Sequence, residues 1–190
     1  MCFSTGFFIF IIKVTTNFGG NDMCMNNEGK YGKYIIQENF LPAFMQLPES
    51  KKEYYDVGRR RILWLDDKVA PGGGFTMNST WIVHADRDMQ LEREANGTVS
   101  ELGKPHSHEG NEIIGFLGSN PEDPSDLCGE VEIFIEGEQH ILTKSTYIYL
   151  PAGVKHVPLY INRVDRPIFH FFITLTPSYV MVREDGAFEV

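Results

Sequence analysis

The chain is poor in cysteine, in positive charge and in long apolar runs, and each shortage removes a class of function. Its three cysteines, Cys2, Cys24 and Cys128, are too few and too scattered for a disulfide framework or a Cys-x-x-Cys zinc site. They fit a reduced, cytoplasmic protein. Cys128, beside Gly129, reads as an incidental thiol before it reads as a nucleophile. Lys and Arg number 17 against 26 Asp and Glu, giving a net charge of −9 and a pI near 5.1. That balance argues against nucleic acid or an anionic membrane as a partner. Arg59-Arg60-Arg61 is a basic run directly before the strand-like Ile62–Leu65, and reads as a solvated loop. The apolar hexamer Phe7–Ile12 falls far short of the roughly 20 residues that span a bilayer. Lys13 follows that hexamer instead of preceding it, the wrong order for a secretory signal. A sustained 3.6-residue apolar period and an internal repeat are also missing, which excludes a helical domain or a solenoid.

What is present is a globular composition, 42% hydrophobic and 13% aromatic over 190 residues, consistent with one domain and a buried core. Residues 1–28 read as an N-terminal extension, disordered, an added strand or, in the favoured reading, translated upstream sequence with Met23 or Met25 as the start. Residues 29–60 read as an irregular lead-in broken by Pro42 and Pro48, with a short helix over Ser50–Tyr55. From 61 to 180, runs rich in β-branched and aromatic residues alternate with turn residues. They predict strands at Arg61–Leu65, Thr76–His84, Glu112–Gly118, Glu130–Glu136, His140–Leu150 and Ile168–Leu175. Many short strands imply an all-β sandwich or barrel. Residues 181–190 read as a C-terminal tail. The glycine-rich turn Pro71–Gly74 lacks the Lys-Ser/Thr of a phosphate loop. Glu136-Gly137-Glu138 marks a tight hairpin. The polar stretch Ser119–Gly129 is longer than a hairpin needs, and reads as a lid or a passive insertion.

The densest chemistry lies in Gly103–Gly118, GKPHSHEGNEIIGFLG, and in PAGVKH at Pro151–His156. Strand side chains alternate faces, so in extended chain His106, His108 and Glu112 point the same way. Imidazole and carboxylate together suit Fe, Mn, Ni, Cu or Zn better than Ca or Mg. Continuing the parity, Ile114 and Phe116 face inward and make the pocket apolar beyond the polar cluster. His84 and His140 read as structural or solvated. His170, in the predicted last strand, is a candidate for acid–base work.

The spacings His-x-His-x-x-x-Glu and Pro-x-Gly-x-x-His resemble the two signature motifs of the cupin superfamily, small antiparallel β-barrels (double-stranded β-helices or jelly rolls) around one metal. The resemblance covers roughly Arg61 to Val180. It implies that His106, His108, Glu112 and His156 are the ligands of one divalent transition metal per chain. Ser119, Ser145 and Tyr160 stand where the family usually has Gly, Gly and Asn, and none of these positions is a ligand.

Three neutral histidines and one carboxylate leave a divalent centre near +1, which favours an anionic or enolisable ligand. Four protein ligands on a six-coordinate ion leave two positions open for a chelating substrate, or for substrate and dioxygen together. The reading leans to a metal-dependent enzyme on a small oxygenated carboxylate, keto or diol substrate, such as a dioxygenase or an isomerase or lyase. The alternatives are a non-catalytic small-molecule-binding or sensory domain and a barrel that the metal merely braces. The aromatic content, a strand-like N-terminal region able to pair with a neighbour's exposed edge, and the resemblance together imply a homodimer, with no nucleic-acid or membrane partner.

Overall fold

The computed structural model describes residues 30–37, 58–99, 101–184 and 186–189. The expectations for residues 1–28 and for a helix over Ser50–Tyr55 lie outside the described residues. The chain divides into two compact units, Met1–Ile36 and Gln37–Val190. The described part of the first is a 3₁₀ turn, Gly32–Tyr34, where Tyr31 and Tyr34 stack at 6.4 Å.

The second unit is built from antiparallel strands. They are β1 (Arg59–Leu65), β2 (Thr76–Ile82), β3 (Glu112–Leu117), β4 (Asp126–Ile135), β5 (Glu138–Lys144), β6 (Thr146–Leu150), β7 (His156–Val164), β8 (Ile168–Thr174), β9 (Val180–Arg183) and β10 (Gly186–Glu189). One helix, α1 (Arg87–Ala95), follows β2. The strands form a five-stranded sheet, β1-β2-β8-β3-β6, a three-stranded sheet, β5-β4-β7, and the hairpin β9–β10. Among the described residues, no helix is long and apolar enough to cross a membrane.

Alternation decides which face goes inside. On β3, Glu112, Ile114 and Phe116 are buried on one side, while Ile113 and Leu117 are only partly covered. Ile114 and Phe116 join Ile82, Leu127, Val131, Ile133, Leu150, Ile161 and Ile168 in one core fed by both sheets. A second cluster holds Trp64, Tyr179 and Met181. Each fully buried side chain of this size contributes about 1.5–3 kcal/mol.

Several boundaries move. The run Arg59–Arg61 is part of β1, where the sequence suggests a loop, and its register pairs Arg59 with Ile82 and Arg61 with Thr80. His140–Leu150 is two strands in different sheets, parted at Ser145. That serine stands where a glycine was expected, and it has a task. The Gly118 amide donates to its Oγ at 3.0 Å, and its own amide donates to the Ser125 carbonyl at 2.8 Å. Gly118 is needed one place before Ser119, because a Cβ there would lie 1.9 Å from the Asp126 carbonyl oxygen. β7 escapes a pattern search because of Pro158, but it is a sheet edge, where proline is tolerated. The supposed tail carries the end of β9 and β10. The hairpin at Glu136-Gly137 is as expected, with positive φ at both residues. Cys128 is buried within β4, its amide donating to Asp126 Oδ1.

Candidate metal centre

The two motifs meet through backbone pairing. His106 and His156 form an isolated antiparallel bridge. The His156 amide donates to the His106 carbonyl at 2.9 Å and the reverse bond is 3.3 Å. The Pro-Ala-Gly turn is fastened as well: Gly153 N–H donates to the His108 carbonyl at 2.9 Å, and Ala152 N–H donates to Asn111 Oδ1 at 3.0 Å. Gly153 has φ +85°, a conformation that a side chain would strain. On the other side, Ser107 pairs with Val182 of β9.

The expected strand running unbroken from His106 to Glu112 is not what forms. Extended pairing covers His106 and Ser107, the chain bends at Glu109 and Gly110, and β3 begins at Glu112. Gly110 presses on the neighbouring chain, where a Cβ would sit 2.7 Å from the Leu175 carbonyl oxygen. The bend therefore requires glycine, and it still returns Glu112 to the histidines.

The imidazoles of His106, His108 and His156 offer ring nitrogens all within 4.8 Å of one another, and each residue is at most 4% exposed. Glu112 abuts them, with Oε2 at 3.1 Å from His156 Nε2 and Oε1 at 3.5 Å from His108 Nε2. The structure thus brings together all four sequence-predicted ligands. His84 is exposed and His140 sits 3.9 Å from Glu138; neither joins the cluster.

Hydrogen bonding fixes which ring atoms face inward. His106 Nδ1 donates to the Lys104 carbonyl at 2.7 Å, and His108 Nδ1 to the Val180 carbonyl at 2.7 Å. Each Nε2 then carries a lone pair, the tautomer that carbonyl acceptors impose on metal-binding histidines. Those Nε2 atoms and Glu112 Oε2 are buried without a hydrogen-bond partner, and His156 Nε2 lies beside them. An unpaired buried polar atom costs about 1–3 kcal/mol, so three in one place need a common explanation. A cation is one. Two ligand atoms about 2.1 Å from an ion and at right angles lie about 3.0 Å apart, close to the Glu112–His156 separation. The donor set fits a transition metal.

The protein's own field points the same way. Burial holds the His106 imidazole below its ordinary pKa, and pushes His108 down to about 4 and His156 to about 3. Burial raises Glu112 to about 8. The site disfavours every charge it could carry alone, and a divalent ion reverses the penalty on the carboxylate.

Above the cluster lies a cavity of about 110 Å³, room for a small organic molecule. Ile114 lines it, as expected. Phe116 does not. Its fully buried ring stacks behind on His170 at 4.6 Å and 17°, and it is the imidazole that reaches the cavity. His170 Nδ1 donates to the Gly115 carbonyl at 3.0 Å. Burial first, then the charge of Arg59, push this imidazole down to about 3. Sequence reasoning missed ten other lining residues, among them five with polar groups: Arg59, Arg61, Asn78, Thr80 and Tyr179. Tyr179 packs on His108 at 4.7 Å, and burial, then the Glu112 charge, raises its phenol well above the ordinary value. Only the period-two placement of Arg59 and Arg61 was available as a signal.

No protein-family model and no curated protein matches the chain. Solved structures do show likeness of fold. KdgF from Halomonas sp. is 16% identical over 69% of this chain and 86% of its own, at TM-score 0.36. A sugar phosphate isomerase from a cupin superfamily of Silicibacter pomeroyi is 17% identical over 76% and 83%, at 0.38. A cupin protein from Bacteroides fragilis is 19% identical over 62% and 76%, at 0.37. Likenesses at this level transfer no function. Two antiparallel sheets feed one core, and the two motifs join over a buried histidine triad, the β-barrel arrangement that the motif resemblance implies.

Proposed function

We propose that the chain is a metal-dependent enzyme acting on a small oxygenated substrate, a carboxylate, keto or diol compound, as a dioxygenase or as an isomerase or lyase. The observation that carries this reading is the set of partnerless buried atoms His106 Nε2, His108 Nε2 and Glu112 Oε2, gathered with His156 Nε2 beside the cavity that His106, Glu112 and His156 line. These four residues would hold one divalent ion per chain, Fe, Mn, Ni, Cu or Zn. When bound, such an ion supplies Lewis-acid polarisation of substrate oxygens or activation of dioxygen. The chain's own residues do the rest. Ile114 and Phe172 keep water from the reacting atoms. His170, with its Nδ1 proton committed to Gly115, presents the Nε2 lone pair as an acceptor for a substrate hydroxyl or proton. The reading includes a cytoplasmic homodimer, whose light-scattering mass would be twice 21.7 kDa.

Elemental analysis of the purified chain, before and after reconstitution, tests the premise. His106→Ala and His156→Ala should lower metal affinity by at least about 10–100-fold, while His140→Ala leaves it unchanged. An oxygen-uptake screen of the metal-loaded chain against catechols, thiols and keto acids then tests turnover. Metal retained by His156→Ala but lost from His140→Ala would overturn the assignment. Tight binding with no turnover would favour the non-catalytic small-molecule-binding reading.

A further inference from the structure

The cavity has a second polar surface besides the histidine cluster, and it comes from the opposite end of the five-stranded sheet. Arg59 and Arg61 of β1 and Asn78 and Thr80 of β2 line the cavity, and Arg60, between the two arginines, is exposed. The register places Arg61 against Thr80. Arg59 is held by Asp86, whose Oδ2 accepts from Nη2 at 2.9 Å. Asp86 is itself anchored, its Oδ1 accepting from the Ile161 amide at 2.8 Å. Asn78 is 5% exposed. Its Nδ2 donates to Thr80 Oγ1 at 3.2 Å, and its Oδ1 has no partner. A buried amide oxygen on a cavity wall without a donor needs one from a ligand.

The charges on the wall are uneven. Of the lining residues, Arg59 and Arg61 are positive, Glu112 is the carboxylate, and the histidines are held neutral by burial. Asp86 offsets the charge of Arg59, so what this wall offers a ligand is guanidinium donors on the cavity side rather than a net positive charge. Guanidinium groups bind carboxylate and phosphate with paired, charge-assisted hydrogen bonds.

We infer that Arg59, Arg61 and Asn78 form a recognition wall for a small hydroxylated acid. The acid carries an anionic group, carboxylate or phosphate, for the arginines, and a hydroxyl donor for Asn78 Oδ1. These are additional to the oxygen that meets the histidine cluster. The wall extends the metal-enzyme reading by naming the substrate class, yet Arg59 and Asn78 hold their places through Asp86 and Thr80, without an ion.

Titration calorimetry on the full Mn(II)-reconstituted chain tests this with two matched pairs of probes that keep a 2-hydroxyl, malate against lactate and 3-phosphoglycerate against glycerate. At least one doubly anionic member should bind about tenfold or more tighter than its partner. The pair that shows the preference distinguishes carboxylate from phosphate. Arg61→Gln should shrink the preference to within about threefold, and Arg61→Lys should keep part of it. Arg60→Gln, on the opposite face, should leave it intact. Elemental analysis of the same samples separates the two claims. If the chain takes up no metal, the preference is measured on the metal-free protein; its survival there, with the same dependence on Arg61, upholds the wall while the metal reading fails. Equal affinity within both pairs for the wild type, or an undiminished preference in a folded Arg61→Gln, overturns the wall. The wild-type comparison decides even where a variant does not fold.

Discussion

The two faces of the five-stranded sheet follow opposite rules, although their residues alternate along the same strands. The inward face buries groups that ordinarily stay wet: Asn78, Thr80, Glu112 and His170 are each at most 7% exposed. The outward face shows water groups that are ordinarily buried: Trp81, Tyr147 and Tyr149 are 36%, 66% and 61% exposed. Its aromatic rings contact one another, Trp81 with Phe169 at 5.4 Å, Phe169 with Phe171 at 6.0 Å and Phe171 with Tyr147 at 5.8 Å. Trp81 and Phe169 are directly opposite on β2 and β8, and a cross-strand aromatic pair stabilises a sheet by about 0.2–1 kcal/mol. The outward face thus helps hold the strands, whereas the inward polar groups sit where burial is costly, and Asn78 Oδ1 and Glu112 Oε2 are left for a ligand to satisfy.

The comparison breaks most readily at Phe116, where the inward face is purely structural. Phe116→Ala removes a fully buried ring from the core and from under His170. It should cost about 3–5 kcal/mol, seen as a lowered denaturant midpoint at unchanged slope. A loss below about 1 kcal/mol would mean that the ring is not packed as described.

Gly115 sharpens the contrast from the other side of the same strand. A Cβ there would meet the Phe171 ring at 2.2 Å, so the absence of a side chain is what lets that ring lie flat on the sheet. Gly115→Ala should destabilise by about 1–3 kcal/mol. Combining it with Phe171→Leu should recover part of the loss, as expected for residues in contact. Strict additivity in the double-mutant cycle would refute the contact.

Acid should act through the inward face alone. The folded pKa of His170 is about 3 against an ordinary 6.5, so folding favours the neutral ring. Its stabilising contribution is present above pH 6.5 and is lost as pH falls toward 3. At pH 5 the loss is at most about 2 kcal/mol, from 1.36 kcal/mol per unit. Denaturation of wild type and of His170→Gln from pH 7 to 5 should show a shallower pH dependence in the variant. Parallel curves would remove His170 as a cause.

Legibility in the sequence follows the same division between local and long-range order. The strands of the large sheet are readable because alternation is a local property. The histidine cluster is readable because two short motifs each hold their ligands within seven residues. Arg59, Arg61, Asn78 and Thr80 are not, because only the β1-β2-β8-β3 strand order brings them to the cavity that Glu112 borders. The helix α1 was equally hidden. Leu91 is 40% exposed, so the helix lacks a strong apolar stripe and is instead tied by polar bonds to distant strands. Arg87 pairs with Glu132 of β4, and Glu94 accepts from the Tyr160 hydroxyl at 2.6 Å. That bond also accounts for a tyrosine where the cupin resemblance implies asparagine. Asn162, two residues on, bonds Glu130 at 2.9 Å and Glu132 at 3.3 Å. No periodicity within nine residues encodes partners 45 and 66 positions away.

The smallest effect belongs to Tyr149, and it bears on whether the outward face is structural in each of its members. The neighbouring Tyr147 touches Phe171, but Tyr149 pairs across the sheet with Ile113 and stands 61% exposed. Tyr149→Ser therefore removes little buried area, and should change stability by no more than about 0.5 kcal/mol. Tyr147→Ser should cost more than Tyr149→Ser, because it also removes an aromatic pair worth about 0.5–1.5 kcal/mol. Urea titrations of the two variants side by side measure the difference. A larger loss at Tyr149 than at Tyr147 would show that exposure on this face does not report what each ring contributes.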